Sequence, residues 1–119
     1  MARPKSTKRR KPQPLSRGDE LMLVVILVLG ENAYSTTILA ELLARAGKKV
    51  TVGSLWVTLD QLAKRETILK VPIEREGNAG GRPRVFYPIT QLGITKLKQV
   101  QAFQTRVWKD VPDLKEYED

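Results

Sequence analysis

The chain has 119 residues, of which 41% are hydrophobic, so it is long and apolar enough for one small folded domain. Its net charge of +8 and isoelectric point near 10.0 favour nucleic acid or an anionic surface as the partner. Because it contains no cysteine and no histidine, disulfides, thiolate or imidazole metal sites, cysteine nucleophiles and histidine-based triads are excluded. We predict that the protein has no catalytic residue, metal or cofactor and that it is cytoplasmic.

The two ends of the chain carry opposite charge. Residues 1–17 contain seven lysines or arginines, three prolines and no acidic residue, which predicts a disordered basic arm. This arm either adds phosphate contacts to a DNA complex or is a solubilising tail. Residues 110–119 hold five acidic residues against one lysine and are predicted to form a solvated acidic tail.

The first predicted helix spans residues 17–29, with Ser16 as its N-cap and Gly30 at its end. Its nine consecutive apolar residues, 21–29, are too few to cross a membrane. A helix that is apolar on all sides must be buried on several of them, so part of it is expected to lie at a subunit interface.

A second helix is predicted over residues 37–46, with Ser35 or Thr36 as its N-cap and Gly47 at its end. The residues expected to face the core are Ile38, Leu42 and Leu43.

The third predicted helix covers residues 52–66 and begins after Thr51, whose hydroxyl can cap it. Apolar residues spaced three and four apart predict one buried stripe, formed by Val52, Leu55, Leu59 and Leu62. Trp56 lies beside the stripe and is expected to pack against the hairpin or the second helix, and Asp60 to orient a neighbouring basic side chain. The polar remainder is typical of a helix that reads base edges, the alternative being a simple solvated face; it comprises Ser54, Thr58, Gln61, Lys64 and Arg65.

A β-hairpin is predicted next, with strands in residues 68–73 and 85–89 around a glycine-rich loop. Arginines cluster on and beside this loop, which favours a polyanionic partner over an ordinary solvated turn. The arginines are Arg75, Arg82 and Arg84, and Asn78 lies at the tip of the loop.

Thr90 is expected to cap a final helix over residues 91–109 with an apolar side. This helix either completes the core of its own chain or packs on the first helix and across a two-fold axis to form a homodimer. The predicted dimer interface consists of Leu23, Leu27, Leu97, Val100, Phe103 and Val107.

This order of elements is the plan of a winged helix-turn-helix protein, a mainly α fold with a small β-hairpin (α+β) and a C-terminal dimerisation helix. The sequence resembles the PadR-like transcriptional regulators over residues 19–108. Three stretches carry the resemblance: ELMLVVILVLGENAYSTTILAELL, TVGSLWVTLDQLAKRETI and, most specifically, GGRPRVFYPITQLG. Two departures are Trp56, where the family usually has tyrosine, and Thr67, where a glycine commonly ends the recognition helix. The corresponding domains are a basic arm (1–17), a winged helix-turn-helix domain (18–90), a dimerisation helix (91–109) and an acidic tail (110–119).

The resemblance implies a homodimeric transcription regulator, and more specifically a repressor, that binds double-stranded DNA. Its operator would be an inverted repeat, and the DNA-bound protein would lie in the nucleoid. Phosphate contacts are expected from Tyr34, Ser35, Thr37, Thr51 and Lys64, and base contacts from Ser54, Thr58 and Gln61, with Arg65 on the same helix. The wing would grip the flanking backbone or minor groove through Arg75, Asn78, Arg82 and Arg84.

Two further hypotheses stay open. A small aromatic effector could bind between the terminal helices, where Phe103 and Trp108 would supply aromatic walls, although aromatic residues at helical spacing are more often plain core. Alternatively, the protein coats nucleic acid without sequence preference, as an architectural or RNA-associated protein does.

Overall fold

The structure is a computed structural model that describes residues 15–73 and 84–118. Those residues form four α-helices and one two-stranded antiparallel sheet: α1 Arg17–Leu29, α2 Ser35–Ala46, α3 Val52–Lys64, β1 Val71–Ile73, β2 Arg84–Phe86 and α4 Gln91–Val107. Short 3-10 turns span Gly30–Asn32 and Leu114–Glu116. The predicted fold class, mainly helical with one hairpin, is confirmed. Most of the predicted basic arm, and Arg75, Asn78 and Arg82, lie outside the described residues.

Three helices begin at the caps that the sequence predicts. The Ser16 hydroxyl accepts a hydrogen bond from the Asp19 amide at 3.0 Å and opens α1. Thr51 does the same for the Ser54 amide at 3.0 Å and opens α3. Thr90 accepts from the Gly93 amide at 3.1 Å and opens α4. Each of these hydroxyls satisfies one of the amides that a helix start leaves without a partner.

The start of α2 differs from the prediction. The helix begins two residues early, at Ser35, and its N-cap is Tyr34, so the expected cap at Ser35 or Thr36 is wrong. The Tyr34 amide donates to the hydroxyl of Thr37 at 2.9 Å, and this closes the first turn from inside the helix. Gly47, with φ of 64°, ends α2 as predicted.

The end of α3 also differs, because the helix stops at Lys64 rather than at residue 66. Glu66 adopts the left-handed conformation, with φ of 65°. Its amide donates to the Ala63 carbonyl at 2.9 Å, and the Thr67 amide donates to the Leu62 carbonyl at 3.1 Å. This pair of bonds is a Schellman turn, in which glycine is usual at the left-handed position. Glu66 therefore occupies that position, and Thr67 follows it with its hydroxyl bonded to the same Leu62 carbonyl.

The core lies where α1, α2 and α3 meet under the hairpin. Its members are Met22, Leu23, Val25, Ile26, Ala33, Ile38, Leu42, Leu55, Leu59, Leu62, Ile68 and Tyr87. The predicted stripe of α3 is confirmed except for Val52, which opens the helix and is 45% exposed. Leu43 was wrongly expected in the core and is 52% exposed, since it follows Leu42 by one residue, roughly 100° around the helix.

The hairpin is joined to the helical part by main-chain bonds. Strands β1 and β2 pair with Val71 opposite Phe86, and both are shorter than predicted. Phe86 also bridges to Tyr34, and the Tyr87 amide donates to the Ala33 carbonyl at 2.9 Å. The segment before α2 therefore lies alongside β2, which fixes the base of the hairpin against the start of that helix.

Helix α4 packs against α1 through its first half. Gly93 is its only buried residue, and a side chain there would meet the Thr67 carbonyl oxygen, 2.4 Å from the site of a Cβ atom. In the second half of α4, Phe103 and Val107 are exposed, so this half does not complete the core of this chain. Within residues 15–73 and 84–118, no helix is both long and apolar enough to span a membrane.

Candidate nucleic-acid interface

The start of α2, one side of α3 and the base of the hairpin surround an open crevice of about 410 Å³. It is lined by Tyr34, Ser35, Thr36, Trp56, Asp60, Lys70, Arg84, Val85 and Tyr87. A helix N-terminus, with its free amides and partial positive charge, favours a phosphate group. The crevice adds the guanidinium of Arg84 to that helix start, whereas the charge of its lysine is balanced by Asp60, so its chemistry suits a polyanionic backbone.

Tyr34 holds the described arginine of the wing. The guanidinium carbon of Arg84 lies 4.0 Å from the centre of the Tyr34 ring, and the Phe86 ring centre lies 5.9 Å from it. A cation–π contact at an exposed site contributes about 0.5–1 kcal/mol. Arg84 itself is exposed, so the tyrosine positions the guanidinium at the surface without burying it.

Across the crevice, Asp60 of α3 and Lys70 form an ion pair, with Lys70 Nζ 2.7 Å from Asp60 Oδ1. This is the basic neighbour that the sequence led us to expect for Asp60. The hydrogen bond to Asp60 raises the pKa of Lys70 above its ordinary value of 10.5, although partial desolvation opposes the shift. Burial raises the pKa of Tyr87, which lines the same crevice, above its ordinary value of 10.0.

The exposed face of α3 lies on the side of the helix opposite its three buried leucines. At roughly 100° per residue, Gly53, Val57 and Lys64 form the line opposite the core. Asp60 and Gln61 flank this line on either side, and both are exposed. Of the residues predicted to face bases, Gln61 therefore lies close to the outermost line.

Ser54 and Thr58 lie on the side of α3 that faces α1. They line a smaller crevice of about 140 Å³ together with Asp19 and Lys48. The Thr58 hydroxyl donates to the Ser54 carbonyl at 3.2 Å, and Thr58 is half-buried. These two residues are consequently further from the outer face of α3 than Gln61.

The residues predicted to bind phosphate are only partly brought together. Tyr34 and Ser35 line the crevice, and Lys64 is exposed on α3. The hydroxyl oxygens of Thr37 and Thr51 accept the helix-capping bonds described above.

Arg65 differs from these residues because its partner is on α1. Its Nη1 atom lies 2.8 Å from Asp19 Oδ2, and it follows the end of α3 as the C-cap. This ion pair directs the guanidinium toward α1 rather than the crevice.

The predicted dimer and effector residues divide between core and surface. Leu23 is completely buried within the single chain, so it has no surface to give to a second subunit, contrary to expectation. Leu97 is partly buried against the core, whereas Leu27 is 47% exposed. The remaining predicted interface residues line a cleft of about 610 Å³ between the beginning of α1 and the second half of α4. They are Val100, Phe103 and Val107, and Trp108 lines the same cleft.

Sequence reasoning did not assign Thr36, Val57 or Lys70 to this surface. Lys70 could have been noticed as the basic residue directly before β1, ten residues after the aspartate that it pairs with. Val57 breaks the polar character of the exposed face and carries no such signal. Trp56 lies at the hairpin side of α3, as expected, but it is 48% exposed and lines the crevice.

Comparison with known proteins adds information on the fold. No protein-family model matches the chain, and no curated protein matches it. A solved PadR-like transcription factor from Bacteroides fragilis is 25% identical, over 80% of this chain and 89% of that one, with a TM-score of 0.63. RosR of H. salinarum is 21% identical, over 89% and 88% of the two chains, with a TM-score of 0.65. F93 from STIV, described as a winged-helix DNA-binding protein, is 15% identical, over 82% and 98%, with a TM-score of 0.59.

These TM-scores, over 80% or more of the chain in each case, show that its helices and hairpin are arranged as in these solved structures. The chain therefore has the winged-helix fold of the PadR-like transcription regulators, and the resemblance that its sequence indicated is confirmed.

Proposed function

We propose that this protein is a transcription regulator that binds double-stranded DNA in a sequence-specific manner as a homodimer. The observation that carries the proposal is the common surface formed by the start of α2, the exposed face of α3 and Arg84 of the wing. The solved structures with this fold include proteins described as transcription factors and as DNA-binding, which supports the same function.

In the proposed complex, α3 enters the major groove, where Gln61 and Lys64 meet the DNA. The start of α2 contacts phosphate, and Arg84 contacts the adjoining backbone or minor groove. In a two-fold dimer, the two copies of α3 would enter successive major grooves roughly 34 Å apart, which requires an inverted-repeat operator. We propose repression as the sign of regulation in the nucleoid, because a dimer bound to an operator that overlaps a promoter blocks transcription from it.

The exposed apolar side chains support the dimer. Phe103 and Val107 are 55% and 54% exposed in the single chain, and Leu27, near the end of α1, is 47% exposed. Single apolar residues on a surface are common, but several on two packed helices are typical of an interaction site. In the proposed dimer, these exposed apolar side chains of α1 and α4 from each subunit are buried between the two subunits.

The dimer is tested by sedimentation equilibrium of the purified protein and of two variants. Phe103→Lys should shift the mass toward the monomer and weaken binding to an inverted repeat. The matched control is Leu43→Lys, which changes an equally exposed leucine on α2 and should leave the dimer intact. A monomeric wild-type protein that still selects inverted repeats would contradict the proposed assembly.

The function is tested by selecting bound sequences from random duplexes with the purified protein. A regulator should enrich one inverted repeat, and its affinity should fall steeply with salt, because each neutralised phosphate releases counterions. The alternative, an architectural protein that coats nucleic acid, predicts no enriched sequence. A complex insensitive to salt would contradict both functions.

A second candidate role is the sensing of a small aromatic compound. The cleft between α1 and α4 is lined by Phe103 and Trp108, which are both exposed rather than packed in the core. The chain has two tryptophans, so Trp56→Phe would leave Trp108 as the only indole reporter. If planar aromatic compounds quench the Trp108 fluorescence of that variant and also release it from DNA, the sensor role is supported. DNA binding that does not respond to any compound that quenches Trp108 would exclude it.

A further inference from the structure

We infer that Asp60, held by Lys70, is a specificity-determining residue that accepts a hydrogen bond from the N4 amino group of a cytosine in the major groove. The inference rests on the proposed DNA-binding function and identifies a base reader beyond those expected from the sequence. It concerns the side of α3 that faces the wing, whereas Gln61 lies on the other side of the outermost line.

The position of Asp60 suits a base contact better than those of Ser54 and Thr58. At roughly 100° per residue, Asp60 lies about 45° from the outermost line of α3, whereas Thr58 lies more than 90° from it. The Asp60 side chain is 52% exposed, although it is anchored. A carboxylate in this place would meet the groove as soon as α3 enters it.

The Lys70 bond fixes the carboxylate and compensates its charge. An isolated aspartate on a DNA-binding face would be repelled by the phosphates, which is a reason for such a surface to exclude it. Lys70 Nζ is 2.7 Å from Oδ1, and none of the described residues donates a hydrogen bond to Oδ2. One oxygen therefore anchors the side chain, and the other can accept a bond from DNA.

The acceptor-only chemistry of a carboxylate selects the base. Guanine presents two acceptors to the major groove and thymine presents one, so both would repel Asp60. Adenine has an amino donor, but its N7 acceptor stands beside it. Cytosine carries only the N4 amino donor on its own major-groove edge, and carboxylates accept from this group in protein–DNA complexes.

The test compares the sequences that the wild type, Asp60→Ala and Asp60→Asn select from random duplexes. A thermal unfolding curve for each protein checks that it is folded. The wild type should require cytosine at one position of each half-site, and a change of that base should weaken binding about tenfold. Asp60→Ala should accept all four bases there. Asp60→Asn should prefer adenine, because an amide can both donate to N7 and accept from N6.

Lys70 is a positioning residue in this account, so its variants must alter base preference and not merely affinity. Lys70→Met should reduce the cytosine preference, and Lys70→Arg should retain most of it. The control Asp110→Asn makes the same change of charge as Asp60→Asn, but at a position beyond the end of α4. This variant should select the wild-type sequence.

Two results would overturn the inference in distinguishable ways. If Asp60→Ala and Asp60→Asn select the same motif as the wild type, Asp60 does not read a base, although the proposed function stands. If the wild type itself enriches no motif, the proposed function fails as well.

Discussion

The Arg84 guanidinium carbon lies 4.0 Å from the centre of the Tyr34 ring, which joins the first residue of β2 to the N-cap of α2. Neither residue could contact the other unless the hairpin folded back over the helix start. The contact therefore sets the distance between the wing and the recognition surface. It also gives the wing arginine a defined direction in the free protein, which would lower the entropy lost on binding in the proposed DNA complex.

We expect Arg84→Ala to weaken binding to all DNA sequences alike, because phosphate contacts carry no base information. The slope of the logarithm of the binding constant against the logarithm of the salt concentration should become shallower by the equivalent of about one phosphate contact. Fluorescence anisotropy over a salt series measures both quantities. Tyr34→Phe keeps the ring and should bind almost as the wild type does, whereas Tyr34→Ala should resemble Arg84→Ala. A change of preferred sequence in Arg84→Ala would contradict this role.

Gly93→Ala should destabilise the protein, because the added Cβ atom would lie 2.4 Å from the Thr67 carbonyl oxygen. Relief requires α4 to move away from the end of α3, and overpacking of this kind costs about 1–3 kcal/mol. Chemical denaturation measures the free energy of unfolding. Gly53→Ala is the control, since nothing lies within 4 Å of its Cβ position and alanine favours a helix. Equal stability changes in the two variants would refute the packing explanation.

Glu66→Gly should stabilise the protein, because Glu66 has φ of 65°. A side chain in that conformation costs roughly 1–2 kcal/mol, and the larger entropy that glycine loses on folding offsets about half of it. The expected gain in the free energy of unfolding is about 0.5–1 kcal/mol. Lys64→Gly, inside the last turn of α3, should lower stability by up to about 1 kcal/mol. A loss of stability in Glu66→Gly would show that the left-handed turn is not strained.

Stability should fall in alkaline solution. The folded pKa values of Lys70 and Tyr87 are both raised above their ordinary values of 10.5 and 10.0, Lys70 by the Asp60 hydrogen bond and Tyr87 by burial. The folded chain therefore retains protons that the unfolded chain releases, so the free energy of unfolding decreases as pH rises through this range. Denaturation between about pH 9 and 11.5 should show this decrease, and the double variant Lys70→Met, Tyr87→Phe should show less of it. A rise in stability over the same range would contradict the assignment.

Local features of the fold could be predicted from the sequence because they depend on neighbouring residues. The hydroxyl caps at Ser16, Thr51 and Thr90 each act on an amide three residues later, so the chain order alone reveals them. The hairpin is equally local, since its strands flank one glycine-rich loop. The cap at Tyr34 was missed because the partner hydroxyl, that of Thr37, comes from inside the helix.

Features that depend on tertiary packing could not be predicted in this way. The contact between Tyr34 and Arg84 and the bond between Arg65 and Asp19 join residues far apart in the sequence. Helical spacing gave Val52 an inward position, but no element covers enough of it to bury it. The candidate site is therefore predictable in its elements and only partly in its residues.

The most direct test of sequence-specific DNA binding is a competition measurement. The protein is bound to the duplex that it selects from random DNA, and unlabelled bulk DNA is added at physiological salt. Our account predicts that the selected duplex is preferred by roughly 10³-fold or more per site, as for other specific DNA-binding proteins. Displacement at equal concentrations of selected and bulk sites would instead identify a protein that coats DNA without reading it.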